Sequence, residues 1–217
     1  MAKAITATTR VVFIANPNNP TGTWLPPSAV KAFLDRVPRE VVVVLDEAYD
    51  EYLDAGQRSP SAGWIAEHPN LIVSRTFSKA YGLAGLRVGF GMMDANVADL
   101  LNRVRQPFNV NSVAQAAALA ALADVDYVAE SAVLNRAGLR ALCAALDAMG
   151  AAYVPSHANF ILIHVGDAAS IYESLLRNGV IVRPVASYGL PQHLRVTIGL
   201  PQEIERFVAA LASALHR

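Results

Sequence analysis

The sequence contains a single cysteine and has no excess of either charge. Cys143 has no partner for an internal disulfide, so the fold must rest on its hydrophobic core. Lysine and arginine together number 18, as do aspartate and glutamate, so no overall field favours nucleic acid or an anionic membrane as a partner. Charged residues make up only 17% of the chain and hydrophobic residues 53%, which argues against a disordered protein.

The sequence also lacks a long apolar run. No stretch reaches the roughly 18 consecutive apolar residues of a membrane-spanning helix, and the first ten residues are polar and rich in threonine, unlike a signal peptide. We therefore expect a soluble cytoplasmic protein without a membrane partner. The 217 residues show no internal repeat and are enough for one large domain or two small ones.

Short apolar runs in the first half predict a buried sheet. Uninterrupted β-branched runs are typical of strands covered on both faces, and the helical and loop segments between them indicate an α/β sheet with mostly parallel strands. The predicted strands lie at residues 11–15, 41–45, 71–73 and 88–92, and a helix is predicted at about 27–37.

The second half predicts a smaller domain of mixed helices and strands. Apolar spacing predicts helices at about residues 96–105, 113–122 and 127–149, and Gly150 ends the last of them. Strands at 153–154, 160–165, 180–183 and 194–198 then alternate with helices at 169–177 and 201–215. We predict a large domain over residues 1–125, followed by a linking helix and an α+β domain over residues 126–217.

Polar side chains follow each of the first three predicted strands. Asn19 lies in the loop after the first strand, Asp46 and Tyr49 follow the second, and Lys79 follows the third. Ligands of parallel sheets gather outside the carboxyl ends of the strands. We therefore expect these side chains to meet in one crevice.

Lys79 lies among hydroxyl groups and glycines, eight residues before Arg87. A partly desolvated amine near another cation loses proton affinity and can attack a carbonyl carbon. The hydroxyl groups of Thr76 and Ser78, together with the Arg87 guanidinium, suit a phosphate dianion. This stretch therefore predicts a site for a ligand with an aldehyde and a phosphate.

The other two clusters suit a pyridine ring. A buried carboxylate such as Asp46 keeps a ring nitrogen protonated, and the Asn19 amide and the Tyr49 hydroxyl can donate to a ring oxygen. All of these groups together match pyridoxal 5′-phosphate. Taken singly, each has a plainer explanation, because lysines in loops are usually exposed, an aspartate after a strand often caps a helix, and Asn-Pro pairs are ordinary turns.

Glu47, Asp50 and Glu51 follow Asp46 closely in the chain. We expect them to form the solvated part of an acidic loop and assign them no role.

Three motifs in this order and spacing resemble those of the fold-type I pyridoxal-phosphate aminotransferases. They are Asn-Pro-Asn-Asn-Pro-Thr-Gly at 16–22, Asp-Glu-Ala-Tyr at 46–49 and Ser-Arg-Thr-Phe-Ser-Lys-Ala-Tyr-Gly-Leu-Ala-Gly-Leu-Arg-Val-Gly at 74–89. The segments 156–160 and 182–199 make the chain similar to histidinol-phosphate aminotransferases in particular. The resemblance implies an aspartate aminotransferase-like large domain, here partial, and a small α+β C-terminal domain.

The resemblance also implies a role for each matching residue. By this resemblance the catalytic residues would be Lys79, which would bind the cofactor aldehyde and carry protons, with Asp46 and Tyr49. The cofactor pyridoxal 5′-phosphate would be held by Asn19, Asp46, Tyr49, Thr76, Ser78, Lys79 and Arg87, and the substrate by Asn159, Arg183 and Arg195. The implied substrates are histidinol phosphate and glutamate or 2-oxoglutarate, and the implied assembly is a homodimer. No metal site and no nucleic-acid partner are expected.

The family's proteins extend further at the N-terminal end. The part without a counterpart here supplies the rest of the large sheet, an aromatic residue that stacks on the cofactor, phosphate donors from a helix N-terminus and a tyrosine that reaches the neighbouring subunit. Some strands would therefore lack covering helices. We expect either a truncated chain or a fragment, or another surface that covers these strands. Two alternatives stay open: an aromatic amino acid aminotransferase or phospho-amino-acid decarboxylase of the same family, and a non-catalytic fragment that serves as an association module.

Overall fold

The computed structural model describes residues 1–215, which form two compact units. The first unit contains Met1–Pro17 and Leu25–Ala129, and the second contains Asn18–Trp24 and the chain from Glu130 onward. The domain boundary that we predicted after residue 125 stays a prediction, because compactness alone does not show which part folds by itself.

The first unit is built on a four-stranded sheet in the order β1-β2-β3-β4. Strands β1, β2 and β3 run parallel, and β4 runs antiparallel to β3. Each strand coincides with a predicted apolar run to within three residues, so the prediction of an α/β fold with a mostly parallel sheet is confirmed. The strands are β1 (Val11–Ala15), β2 (Val42–Asp46), β3 (Leu71–Thr76) and β4 (Gly89–Met93).

Helices pack on this sheet or follow it. Two of them begin at side-chain caps, because Asp94 accepts from the Asn96 N–H and Asn111 accepts from the Ala114 N–H. No element was predicted between residues 47 and 70, where the structure has two short 3₁₀ helices, Asp50–Tyr52 and Ala55–Gln57, and a short α-helix, Ser61–Trp64. The α-helices are α1 (Pro27–Leu34), α2 (Ser61–Trp64), α3 (Ala95–Val104), α4 (Ser112–Ala123) and α5 (Val125–Ala148).

One face of the first sheet is covered and part of the other is not. The core contains Ile14, Val43 and Leu45 packed against Val30 and Leu34 of α1. On edge strand β1, the side chains of Val11 and Phe13 are 47% and 72% exposed. The prediction that this strand is buried on both faces is therefore wrong for the described chain, whereas the expectation that some strands lack a cover is met here.

The second unit has its own antiparallel sheet, in the order β5-β6-β8-β7. Its core joins Ile161 and Ile163 of the sheet to Leu146 of α5 and Leu211 of the last helix. The elements are β5 (Tyr153–Val154), β6 (Phe160–His164), α6 (Ala168–Arg177), β7 (Arg183–Pro184), β8 (His193–Thr197) and α7 (Pro201–Leu215). Among the described helices, none combines the length and apolar character needed to cross a membrane.

Glycines in the left-handed conformation end two helices of this unit. Gly150, at φ +65°, follows α5, and the N–H of Ala151 donates to the carbonyl of Leu146. Gly179, at φ +70°, follows α6 in the same way, and the N–H of Val180 donates to Leu175. The strand predicted at 180–183 is therefore wrong at its start, because Val180 still belongs to the helix end and β7 begins only at Arg183.

Candidate active site

The ends of β2 and β3 bring Asp46, Tyr49 and Lys79 to one edge of the first sheet. Asp46 is the last residue of β2 and is in register with Ser74 of β3. The N–H of Ala48 donates to Asp46 Oδ1 at 3.1 Å, which orients the carboxylate. The Tyr49 side chain is buried, and Lys79 Nζ lies 5.6 Å from the centroid of its ring. The Lys79 amine and the oriented Asp46 carboxylate thus lie at the same edge of the sheet, where neighbouring strands end.

Three further predicted residues lie together at and after the end of β3. The N–H of Ser78 donates to Thr76 Oγ1 at 3.1 Å, and Arg87 Nη1 donates to Ser78 Oγ at 3.4 Å. The same Arg87 nitrogen donates to the Ala84 carbonyl at 2.8 Å, and the side chain remains exposed. Arg87 has φ +55°, a left-handed conformation that costs a residue with a side chain about 1–2 kcal/mol. The structure therefore brings Thr76, Ser78 and Arg87 together in one hydrogen-bonded cluster.

Asn19 and Arg195 meet in the second unit. Arg195 Nη1 donates to Asn19 Oδ1 at 2.6 Å, and Arg195 Cζ lies 4.8 Å from the centroid of the Phe160 ring. Arg195 Nε is buried without a hydrogen-bond partner among the described residues. A buried N–H of a cation without an acceptor is costly, and a bound carboxylate would remove that cost.

The other two predicted substrate residues lie on or next to the same sheet. Arg183 of β7 is directly opposite Arg195 of β8 and is exposed. Like charges in opposite positions destabilise a sheet unless an anion lies near both. Asn159 comes directly before β6, and its carbonyl accepts from the Ile198 N–H at 2.9 Å. A side-chain hydrogen bond thus joins Arg195 to Asn19, whereas Asn159 is held by a backbone hydrogen bond.

The expectation of a solvated acidic loop after Asp46 is wrong. Glu47, Asp50 and Glu51 are only 2%, 2% and 4% exposed. Arg75 of β3 donates through Nε and Nη2 to Glu47 Oε2, at 3.0 and 2.7 Å, and its Nη2 lies 3.1 Å from Asp50 Oδ2. The signal that could have found this contact is the strand register: Asp46 pairs with Ser74, so Glu47 and Arg75 come next on adjacent strands.

Burial dominates the acidity of this cluster. It raises the pKa of Glu47, Asp50 and Glu51 above their ordinary values, although Arg75 acts in the opposite direction on each of them. For Arg75, burial acts to lower the pKa, but the nearby Asp50 and Glu47 carboxylates outweigh it and the pKa is raised. The arginine therefore stays charged, while the carboxyl groups hold protons more readily than exposed ones.

The sequence matches a known family over nearly its whole length. The family model described as aminotransferase class I and II matches residues 1–211. The chain belongs to this family. A curated relative from Cupriavidus pinatubonensis, histidinol-phosphate aminotransferase 1, is 60% identical over 99% of the chain. The chain spans 58% of that relative's length.

Solved structures of the family agree with the fold. A histidinol-phosphate aminotransferase from Sinorhizobium meliloti, crystallised with pyridoxal-5′-phosphate, is 34% identical with a TM-score of 0.87, over 95% of this chain and 57% of its own. A mutant aspartate aminotransferase from Thermus thermophilus is 24% identical with a TM-score of 0.84, over 98% of this chain and 62% of its own, and it shows the fold alone. The prediction of an aspartate aminotransferase-like fold is thus confirmed.

Proposed function

We propose that the protein is a pyridoxal-phosphate-dependent aminotransferase that exchanges an amino group between histidinol phosphate and 2-oxoglutarate. The observation that carries the proposal is the position of Lys79 Nζ, 5.6 Å from the buried Tyr49 ring, at the sheet edge where Asp46 ends β2. The relative that is 60% identical and named histidinol-phosphate aminotransferase supports the choice of substrate. The chain spans 58% of that relative's length, so the complete reaction is a proposal for this protein.

The residues present fit the cofactor. Lys79 supplies the amine that would bind its aldehyde, and the hydrogen-bonded cluster of Thr76, Ser78 and Arg87 would hold its phosphate. Arg87 is exposed and kept in a left-handed conformation, which the surrounding structure must impose. Asp46 would lie against the ring nitrogen.

Each side chain has a chemical task in this proposal. The bound cofactor would supply an aldehyde and an electron-withdrawing ring. The Asp46 carboxylate favours a proton on the ring nitrogen, because opposite charges close together stabilise each other. Tyr49 and Asn19 would donate to the ring oxygen. Lys79 Nζ would take a proton from the substrate carbon and return it elsewhere, as a general acid–base group.

The second unit would bind the two substrates in turn. Arg195 would pair with a carboxylate of glutamate through its buried Nε, which otherwise has no partner among the described residues. Arg183, directly opposite Arg195, would add positive charge for the phosphate of histidinol phosphate. Asn159, which comes directly before β6, would also help to bind the substrate. In the overall exchange, the donor carbon loses its amino group and two electrons, and 2-oxoglutarate gains both to become glutamate.

We also propose that the protein works in the cytoplasm as a homodimer. Apolar side chains on and beside α3 and α4 are exposed in the first unit, including Val104, Phe108 and Leu119 at 77%, 97% and 72%. Exposed apolar groups in such numbers favour association with another surface. Sedimentation of the purified protein tests the assembly, and a monomer at all concentrations would remove the dimer from the proposal.

The reaction is tested with purified protein, pyridoxal phosphate, 2-oxoglutarate and histidinol phosphate, with glutamate as the measured product. We expect glutamate to form, and to form faster than with phenylalanine as the amino donor. The Lys79→Ala variant should give none, while its circular dichroism matches that of the unchanged protein. Faster reaction with phenylalanine would assign the site to aromatic amino acids, and no glutamate from either donor would contradict the proposed activity.

A further inference from the structure

We propose that Arg75 and Glu47 are positioning residues that hold the turn after Asp46 against the strand leading to Lys79. This inference rests on the proposed function, since it concerns the geometry of the proposed cofactor site. The contact itself is a property of the folded chain. It therefore has a test that does not need the cofactor.

Arg75 has a particular place in the chain. It lies on β3, one residue before Thr76 and four before Lys79. Its guanidinium crosses to the turn that follows β2, where Nε and Nη2 both donate to Glu47 Oε2, at 3.0 and 2.7 Å. The arginine thus ties together the two strand ends that carry the proposed catalytic groups.

The same guanidinium holds both ends of the turn. Nη2 also lies 3.1 Å from Asp50 Oδ2, and the Asp50 N–H donates to the Glu47 carbonyl at 3.1 Å. The Glu47 N–H in turn donates to the Ser74 carbonyl of β3 at 2.9 Å. Within this closed turn lie Tyr49, whose ring faces Lys79 Nζ, and Ala48, whose N–H orients Asp46.

Burial makes the loss of either partner of this contact costly in free energy. The Glu47 and Asp50 side chains are 2% and 3% exposed, and that of Arg75 is 24% exposed. An exposed ion pair contributes little, whereas removing one partner of a buried pair leaves a charge without compensation. A lysine at position 75 cannot replace the contact, because a single ammonium lacks the planar fork that reaches two carboxylates at fixed angles. The side chains therefore fix the turn rather than merely carry charge.

The experiment compares Arg75→Met with the unchanged chain by amide hydrogen exchange, without cofactor. The reporting amides are those of Glu47, Ala48 and Ser78. The reference amide is that of Val43, near the start of β2, which donates to the Asn70 carbonyl. We expect exchange at the reporting amides to accelerate by about tenfold or more, with Val43 unchanged. In parallel, the dissociation constant for pyridoxal phosphate should rise by a similar factor.

Two further variants separate positioning from general destabilisation. Arg75→Met with Glu47→Gln removes the charges of that pair, so thermal stability should recover in part, because buried Asp50 still lacks the guanidinium, while fast exchange at the turn persists. Arg103→Met, which breaks an exposed ion pair with Asp99 on α3, serves as the matched control and should change neither readout. Equal acceleration at Val43 and at the turn, or no acceleration in either Arg75 variant, would overturn the inference. Because exchange needs no cofactor, its outcome stands apart from any failure of the proposed reaction.

Discussion

Asp46 is the residue whose charge the proposed chemistry most needs. Asp46→Asn keeps an oxygen that can accept from the Ala48 N–H but removes the negative charge. We expect pyridoxal phosphate to bind at least about tenfold more weakly, because the protonated ring nitrogen loses its counter-charge. Titration of the protein with the cofactor, followed by calorimetry, measures this change. Equal affinity in the variant would remove Asp46 from the site.

Glu51 should make the stability of the protein depend on pH in an unusual direction. Burial raises its pKa above 4.5, and its Oε1 has no hydrogen-bond partner among the described residues. Just above pH 4.5 the folded chain keeps a proton that the unfolded chain releases, so the free energy of unfolding falls as the pH rises through this range. Glu51→Gln should therefore stabilise the chain at neutral pH, by about 1 kcal/mol.

Thermal unfolding of Glu51→Gln between pH 4.5 and 8 measures this effect. The gain should be largest at pH 8 and shrink toward pH 4.5, because the folded chain then holds Glu51 increasingly in its neutral form. Glu173→Gln, at an exposed position on α6, is the matched control and should leave the pH profile unchanged. A variant less stable than the unchanged protein at pH 8 would contradict this account of Glu51.

Single residues also show what a sequence can and cannot predict. Asp46 and Lys79 could be placed at one edge of the sheet, because each follows an apolar run and the ends of parallel strands share one edge. Glu47 and Asp50 could not, since acidic residues after a strand are usually solvated and only the folded turn buries them against Arg75. The neighbouring cation was visible in the sequence, but its distance in space depends on strand register.

The loop at residues 16–22 depends on close backbone packing at Gly22. This glycine has φ +74°, and a Cβ atom there would lie 2.1 Å from Ser156 Oγ and 3.1 Å from Ser156 Cα. Its carbonyl also accepts from the His157 N–H at 2.8 Å. Gly22→Ala should therefore lower the free energy of unfolding by about 2–5 kcal/mol, the sum of backbone strain and overpacking.

Urea unfolding compares Gly22→Ala with a matched glycine substitution. Gly56 lies in a 3₁₀ helix, and a Cβ atom there would meet nothing within 4 Å. Gly56→Ala should therefore change the stability by less than about 1 kcal/mol. If both variants unfold at the same urea concentration, the packing of the 16–22 loop against Ser156 is not as described.

Helices and strands were predictable where local rules decide them. The apolar spacing and the terminal glycine of α5 agree with the structure at both ends to within two residues. The strand predicted at 180–183 failed because the turn after Gly179 uses the Val180 N–H to close α6. Residues 180–182 are apolar, as a strand requires, but the Val180 N–H donates to the Leu175 carbonyl and does not pair with a strand.

The two units differ in how completely their cores are covered. The second unit closes its sheet with helices α5, α6 and α7, whereas Val11 and Phe13 of β1 are exposed in the first. The chain spans 58% of its curated relative, and the sequence predicted a partial large domain from the family resemblance. The uncovered face could not be read from β1 itself, because an apolar strand looks the same whether or not a partner covers it.

One measurement tests the central claim most directly, that Lys79 is the residue that takes pyridoxal phosphate. The protein is mixed with the cofactor, reduced with borohydride, digested and analysed by peptide mass spectrometry, alongside Lys79→Ala and the control variant Lys31→Ala. We expect a covalent cofactor adduct on the peptide that contains Lys79, retained in Lys31→Ala and lost in Lys79→Ala. An adduct on another lysine, or none on the unchanged protein, would contradict the account.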